Sequence, residues 1–365
     1  MIKILILTPN LNLPGGVSNY IKLLGNELDG KKFEIKYLFV GKTGLLFKDL
    51  FYPLLILVQI IRLKKILKNF RPSVVHINPS LKYTAIIRDF LFLKLIKQKG
   101  YPVLFFIHGW EKKISKKFEN VICKNYFKKR FEMADVIVVL AKEFKNNLVN
   151  LGINSKNIFI TTTMVESEKY YPGDKNFSEP YNILFCANMK KEKGSYELLT
   201  AVPLVIEKYC DTSFIFVGDG KDLEKLKRKT KEMGIEKNVI FNGYKTGNEK
   251  IEFFKKAHIF VFPSHSEGFP TVVLEAMAAG LPLVVRSVGG LVDVIKDGKQ
   301  GFILNTSTRS SKEIGDKIIQ LIEHPDLMEK MSKNNITETK EKYDVKKTCN
   351  TIINIYDNIL IRKIH

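Results

Sequence analysis

Phe262-Pro263-Ser264-His265-Ser266-Glu267-Gly268-Phe269-Pro270-Thr271-Val272-Val273-Leu274-Glu275-Ala276-Met277-Ala278-Ala279-Gly280-Leu281-Pro282-Leu283-Val284 is the stretch from which the fold is read. A buried strand ends at Pro263, a polar loop containing a glycine follows, and a helix begins near Thr271. The start of such a helix offers free backbone N–H groups, a natural seat for a phosphate. Glu267 falls in the loop and Glu275 just over one turn inside the helix. Two carboxylates so placed can accept hydrogen bonds from several hydroxyls of a sugar-bearing ligand. Taken singly, each could equally cap the helix or pair with a neighbouring lysine.

The pattern around this segment repeats in both directions. Short apolar runs alternate with amphipathic segments, as in parallel sheets wrapped by helices. In the first half the expected strands are Ile2–Thr8, Glu34–Phe39, Val74–Ile77, Val103–Ile107, Val136–Val139 and Ile158–Thr161. In the second half they are Asn182–Cys186, Ser213–Val217, Val239–Phe241, Ile259–Phe262, Leu283–Val285 and Gly301–Leu304. Two series so alike in length and spacing point to two Rossmann-like domains. Tyr170–Pro180, with Pro172, Gly173, Asp174 and Pro180, reads as the linker between them. Val345–Ile361 has helical spacing, which by itself allows packing on either domain.

The quoted segment resembles the Glu-x7-Glu signature of the family-4 retaining glycosyltransferases, in its Glu-Gly-Phe-Pro core and its Leu-Glu-Ala-Met-Ala-Ala-Gly-x-Pro continuation. The resemblance implies an α/β protein of GT-B type, with two Rossmann-like domains facing each other across a cleft. Residues 1–170 would form the acceptor-binding domain and 171–344 the nucleotide-sugar domain. The helix in 345–365 would pack toward the N-terminal domain. By the same resemblance Glu267 approaches the donor sugar, the Gly268-Phe269-Pro270 backbone contacts sugar hydroxyls, Thr271 is at the diphosphate end, and Glu275 holds the ribose hydroxyls.

Other elements follow in the family's order. Pro14-Gly15-Gly16-Val17 lies between the first strand and a helix, and two glycines let backbone approach a phosphate closely. It resembles the family loop that borders the donor diphosphate and the acceptor. Ala187-Asn188-Met189-Lys190-Lys191-Glu192-Lys193-Gly194 resembles the element whose arginine and lysine neutralise the diphosphate. Lys193 matches the lysine, while Asn188 stands where the family has arginine. Phe216–Gly220 and Asn242-Gly243-Tyr244 resemble turns beneath the nucleotide and near the base, and Gly289-Gly290 through Gly301 a structural glycine pattern. His108 follows the strand Val103–Ile107 and so faces the crevice of an open sheet; the family uses this position to orient the sugar. Thr162–Glu166 departs from the family's Pro-Asn-Gly-Val-Asp element. The expected catalytic residues are therefore Glu267, His108 and Lys193, and the expected donor contacts Gly15, Gly16, Asn188, Lys193, Gly268, Phe269, Pro270, Thr271 and Glu275.

No Asp-x-Asp pair or His/Cys ligand cluster is seen, so no metal or other cofactor is expected. Lys193 and the helix N-termini would answer the charge of the departing diphosphate instead. The expected reaction moves a hexose or N-acetylhexosamine from a UDP- or GDP-sugar to a lipid-linked or polysaccharide acceptor.

Composition bounds this reading. A chain of 365 residues that is 45% hydrophobic and 11% aromatic has room for two cores. Cys123, Cys186, Cys210 and Cys349 are scattered and suit a reducing compartment. No secretory signal precedes the first strand, and the expected location is cytoplasmic, peripheral on the inner face of the cell membrane. The net charge of +21 is uneven: residues 1–170 hold 29 Lys and Arg against 12 Asp and Glu, the remainder 30 against 26. Such a basic half fits an anionic membrane surface, with Lys112–Arg130 adding to it. The apolar stretch Leu45–Ile61 joins the same docking reading; it is short for a span, and otherwise reads as an ordinary buried helix slightly more readily than as a membrane insertion. Two other readings are open to the sequence. One is a sugar-nucleotide epimerase of the same fold. The other is a non-enzymatic nucleic-acid binder, which rests on charge alone and has no zinc-finger or RRM signature, so nucleic acid is not an expected partner.

Overall fold

The computed structural model describes residues 1–362 except 14, 31, 42–51, 111–118, 174, 306, 308 and 309. The chain forms two compact units, Met1–Thr163 with Val345–His365, and Met164–Asp344. The segment Tyr170–Pro180, apart from Asp174 outside the described residues, lies within the second unit.

In the first unit β1 (Ile2–Thr8), β2 (Phe33–Phe39), β3 (Val74–Ile77), β4 (Val103–Ile107), β5 (Val136–Val139) and β6 (Ile158–Ile160) form one sheet in the order β2-β1-β3-β4-β5-β6. All pairs are parallel, with Ile4 between Ile35 and Val74. In the second unit β7 (Asn182–Cys186), β8 (Ser213–Val217), β9 (Val239–Phe241), β10 (Ile259–Phe262), β11 (Leu283–Arg286) and β12 (Gly301–Leu304) form a second parallel sheet in the order β12-β11-β10-β7-β8-β9. Strands covered on both faces read as unbroken apolar runs, which is why their positions were legible. The three shifts from expectation are single residues: β2 starts at Phe33, β6 stops at Ile160 and β11 runs on to Arg286.

Right-handed crossovers fix the helix layers. In the first unit only the β1-to-β2 connection runs one way, so its helix Gly16–Leu28 lies on one face. The connections from β2 to β5 run the other way and place helices Tyr52–Phe70, Tyr83–Gln98 and Val121–Phe131 on the opposite face. Strand alternation agrees: Phe105 of β4 meets Phe90 and Phe131, while Phe106 meets Tyr20 on Gly16–Leu28.

One helix cannot cover a face of six strands. A second helix, Val345–Ile361, joins it there; it belongs to the first unit and packs on Gly16–Leu28 and β3. Its Tyr356 is fully buried, with its hydroxyl 2.6 Å from His76 Nδ1. Burial pushes the tyrosine pKa up and lowers His76 to about 3, so the phenol keeps its proton and donates it to a neutral imidazole. Lys32 pairs with Asp357 at 2.9 Å on the surface.

The helix Tyr52–Phe70 corrects one expectation. Of the apolar stretch Leu45–Ile61, residues 45–51 lie outside the described residues; the rest is not a buried helix. Gln59, Leu63, Leu67 and Phe70 are buried, but Leu54, Leu57, Val58 and Ile61 are 57%, 53%, 37% and 59% exposed. Among the described residues no helix is long and apolar enough to cross a membrane.

The net charge divides sharply between the units. The first holds 32 Lys and Arg against 11 Asp and Glu, and the second 27 of each. The whole excess therefore belongs to the first unit.

Tyr356→Phe removes the buried donor to His76 while keeping the ring. It is expected to destabilise the first unit by about 1–3 kcal/mol, the cost of an unanswered buried acceptor. The check is a lowered denaturation midpoint, with the second unit's transition unmoved.

Candidate active site

In open parallel sheets ligands bind where strand order reverses, beyond the carboxyl ends of the strands. In the second unit that point lies between β7 and β10, neighbours whose following segments diverge. The loop after β7 carries Asn188, Lys193 and Gly194; the loop after β10 carries Glu267 to Pro270.

These two loops are bound tightly to each other. His265 N donates to Glu192 O at 3.0 Å, and His265 Nε2 lies 2.8 Å from Glu197 Oε1. Lys193 Nζ is 2.5 Å from Glu267 Oε1, which also accepts from Ser264 Oγ at 2.6 Å. The Lys193 ammonium stands over the Phe262 ring. Gly194 has φ +79°, and a Cβ there would lie 2.5 Å from Pro263 O, so backbone contact itself demands glycine. Arg286, 1% exposed, donates from Nη1 to the same Pro263 carbonyl. Behind the loop Gly290 N donates to Gly268 O at 2.6 Å, and a Cβ on Gly289 (φ +57°) would lie 2.1 Å from Glu267 O. Glu267 is thus held from both sides, while its carboxylate stays partly exposed.

Helix Thr271–Ala278 begins at Pro270, which makes no side-chain cap bond, so the helix start can take an external acceptor. Phe269 and Pro270 are buried beneath it, and Thr271 is half-buried. One turn on, Glu275 is 6% exposed. Tyr170 OH donates to its Oε1 at 2.9 Å and Lys250 Nζ to its Oε2 at 2.5 Å. Burial opposes the charge on Lys250, but Glu275 outweighs it and holds the lysine pKa above its ordinary value. Burial and the same carboxylate push Tyr170 up, so it keeps the proton it donates to Glu275. Cys186, at the end of β7, is raised to about 12 by burial, with the Lys250 and Glu275 charges acting in opposite directions, and stays a thiol.

Asn188 is exposed on the β7 loop, and its carbonyl accepts from Lys190 N at 2.8 Å. Lys190 and Lys191 are exposed on the same loop. The turns Phe216–Gly220 and Asn242–Tyr244 are joined by Gly218 N donating to Gly243 O at 2.8 Å. A Cβ on Gly218 (φ +141°) would lie 1.9 Å from Ala187 O, so this glycine too is set by packing.

The first unit has its own reversal, between β1 and β3. Asn78, just past β3, donates from Nδ2 and from its backbone N to Leu7 O, each at 3.0 Å. Its Oδ1 is 2.7 Å from His108 Nε2, past β4. His108 stacks on Phe106 with ring centres 4.0 Å apart and meets the Tyr20 edge. Burial and neighbouring His76 lower its pKa to about 3, so it is a neutral imidazole that donates to Asn78. Gly15 and Gly16 start helix Gly16–Leu28 and are exposed; Pro14 lies outside the described residues. A Cβ on Gly16 meets nothing within 4 Å, and on Gly15 only Ser18 Oγ at 3.9 Å. Here, unlike at Gly194, internal packing does not require glycine. What the missing side chains leave open is approach to the backbone.

Apart from Glu275, which lies a turn inside its helix, each expected residue is placed in a loop past a strand's carboxyl end or at a helix start. Within the second unit Lys193, Glu267 and the Gly268–Thr271 turn come together, and Glu275 lies deeper. Sequence reading missed Ser264, Lys250, Tyr170, Arg286 and Asn78. Ser264, three residues before Glu267, was the one with a local signal. Among the described residues no group of three or more His, Cys, Asp or Glu is placed to hold a metal.

Residues 14–169 match the family model of family-4 glycosyltransferases, and residues 168–338 that of glycosyl transferases group 1. Uncharacterized glycosyltransferase MJ1178 of Methanocaldococcus jannaschii is 27% identical over 73% of this chain and 71% of its own. The capsular polysaccharide biosynthesis glycosyltransferase CapM of Staphylococcus aureus is 25% identical over 60% of this chain and 57% of its own. Among solved structures, Anabaena Alr3699/HepE in complex with UDP and glucose is similar in fold, with a TM-score of 0.73, 15% identity, and coverage of 98% of this chain and 100% of that one. The chain belongs to the family-4 glycosyltransferases, with the α/β two-domain GT-B fold.

Proposed function

We propose that the protein transfers a hexose or N-acetylhexosamine from a UDP- or GDP-sugar, with retention at the anomeric carbon, to a lipid-linked or polysaccharide acceptor. The observation that carries this reading is the pair of lysine-bound carboxylates at one strand reversal. Glu267, held by Lys193 and Ser264, sits at the rim, and Glu275, held by Lys250 and Tyr170, sits one turn inside the helix that follows. A ligand with sugar hydroxyls at one end, a diphosphate in the middle and a ribose at the other end matches that sequence of groups. The structure of Anabaena HepE with UDP and glucose supports a uridine nucleotide as the first donor to try.

In this reading the diphosphate lies at the uncapped start of helix Thr271–Ala278, where N–H groups and the helix dipole favour negative charge. Lys193 adds a cation there. The bond from the anomeric carbon to the diphosphate oxygen breaks, and the acceptor hydroxyl forms the new bond on the same face. Its proton passes to the departing phosphate oxygen. Glu267 holds the sugar, and neutral His108, whose single N–H is given to Asn78, accepts a hydrogen bond from a hydroxyl at Nδ1. No metal ion enters this scheme. The basic first unit would work against an anionic membrane, on its cytoplasmic face. The description of CapM as a capsular polysaccharide enzyme supports an acceptor in surface-polysaccharide assembly.

Glu267→Ala and Lys193→Ala are each expected to lower transfer by about a hundredfold or more with the fold intact. Release of nucleotide from a panel of UDP- and GDP-sugars, with and without a membrane-lipid extract, measures it; full activity in both variants overturns the assignment.

The roles of Glu275 and Lys250 separate in a binding experiment. Glu275→Gln is expected to weaken UDP binding about ten- to a hundredfold, the value of charge-assisted hydrogen bonds. It should weaken binding of 2′,3′-dideoxy-UDP little. Lys250→Met leaves Glu275 buried without its cation and should lower both affinity and stability, with Lys250→Arg restoring part of each. Calorimetric titration with the two nucleotides gives the comparison.

A further inference from the structure

The exposed residues of helix Tyr52–Phe70 are not scattered. Leu54, Leu57, Val58 and Ile61 follow the spacing i, i+3, i+4, i+7, which aligns them as one ridge on the helix surface. Lys65 and Lys68 continue that ridge for two more turns, and Arg62 and Lys64 flank it; all four are exposed. The helix contains no acidic residue. A water-facing helix does not need four large aliphatic side chains in line, and the buried face already has its own set in Leu63, Leu67 and Phe70.

The same face of the first unit repeats the design. Helix Val121–Phe131 exposes Val121 and Ile122, 69% and 80%, at its start and carries Lys124, Lys128, Lys129 and Arg130 with no acid. Between the two lies Tyr83–Gln98, whose single acid, Asp89, is fully buried against Arg88. Helices that follow parallel strands run antiparallel to them, so each begins at the carboxyl edge of the sheet. Both apolar clusters lie in the first turns of their helices, at the edge where Gly15, Gly16 and His108 lie. The basic residues follow toward the other end.

We infer that helix Tyr52–Phe70 is a membrane-docking element that seats the Leu54–Leu57–Val58–Ile61 ridge among the acyl chains of an anionic phospholipid surface, with Lys65 and Lys68 on its headgroups. This rests on the lipid-linked acceptor reading and names the partner surface of that site. Charge selects the occupant: all of the protein's net charge of +21 resides in this unit, which suits an anionic bilayer and disfavours a second copy of the chain. Aliphatic burial and headgroup attraction add, so removing either should be felt. Docking by this ridge turns the carboxyl edge of the first sheet toward the bilayer, where a lipid-linked hydroxyl would arrive.

The test is cosedimentation of the full chain with vesicles of about three parts phosphatidylglycerol to seven of phosphatidylcholine, and with phosphatidylcholine alone, at about 0.15 M salt. Binding is expected to the anionic vesicles only. Leu54→Ser/Leu57→Ser/Ile61→Ser should weaken it at least tenfold, and Lys65→Glu/Lys68→Glu likewise. UDP binding by both variants should equal that of the unaltered protein, which shows that they fold and that the donor site stands apart from docking. Equal binding to both vesicle types, or vesicle binding by the triple-serine variant equal to that of the unaltered chain, overturns the inference. So does a dimer in sedimentation that the triple-serine variant dissolves, which would make the ridge a self-association surface. Loss of UDP binding by the unaltered protein would instead count against the transferase reading, whatever the vesicles show.

Discussion

A parallel sheet can be entered from its middle only if the chain builds outward in one direction, returns, and builds outward in the other. Both units do so, at β1/β3 and at β7/β10. Right-handed connections then send the segments on the two sides of the reversal to opposite faces of the sheet. Between them the carboxyl ends of two neighbouring strands are left with loops that separate. Every group assigned to the site hangs on this constraint. Lys193 and Glu267 meet because β7 and β10 are adjacent, although they stand 74 positions apart in sequence. Asn78 reaches both Leu7 and His108 because β3 lies between β1 and β4.

The electrostatics of the second unit follow from that geometry. Glu275 is too deep to be solvated, and an unpaired carboxylate there would cost several kcal/mol, so it is bound at both oxygens. Glu267 is less buried and shares a single oxygen between Lys193 and Ser264. The deeper carboxylate is a fixed acceptor set by its neighbours. The shallower one is partly exposed beside its lysine. In the transferase reading proposed above, this difference in depth would let the loop and the helix after it address both ends of an elongated nucleotide.

The strands and the Glu267–Glu275 segment were legible because their signals are local. A buried parallel strand is an uninterrupted apolar run, and a strand–loop–helix turn has its own grammar of Pro, Gly and Thr. Lys250, Tyr170 and Arg286 carry no such signal. Lys250 stands 25 residues from Glu275 and Tyr170 stands 105 away, so no spacing rule connects them. Tyr170 looked like the first residue of a linker because Pro172 and Gly173 follow it; its ring is instead committed to a buried carboxylate. Helix Tyr52–Phe70 is hard to read for a related reason. Apolar content alone does not distinguish burial from exposure, and this helix has two apolar stripes of which the sheet can cover only one.

The return of Val345–Ile361 to the first unit has a consequence for how the chain is made. During synthesis residues 1–163 emerge first, with one helix to cover a face that needs two. The polypeptide for the whole second unit must follow before the covering helix appears. Throughout that interval His76 lacks Tyr356 and β3 lacks the helix that packs on it, so the nascent first unit carries an open apolar face. The second unit is contiguous, so it can close as soon as it leaves the ribosome. The natural order of completion is therefore the reverse of the order of translation.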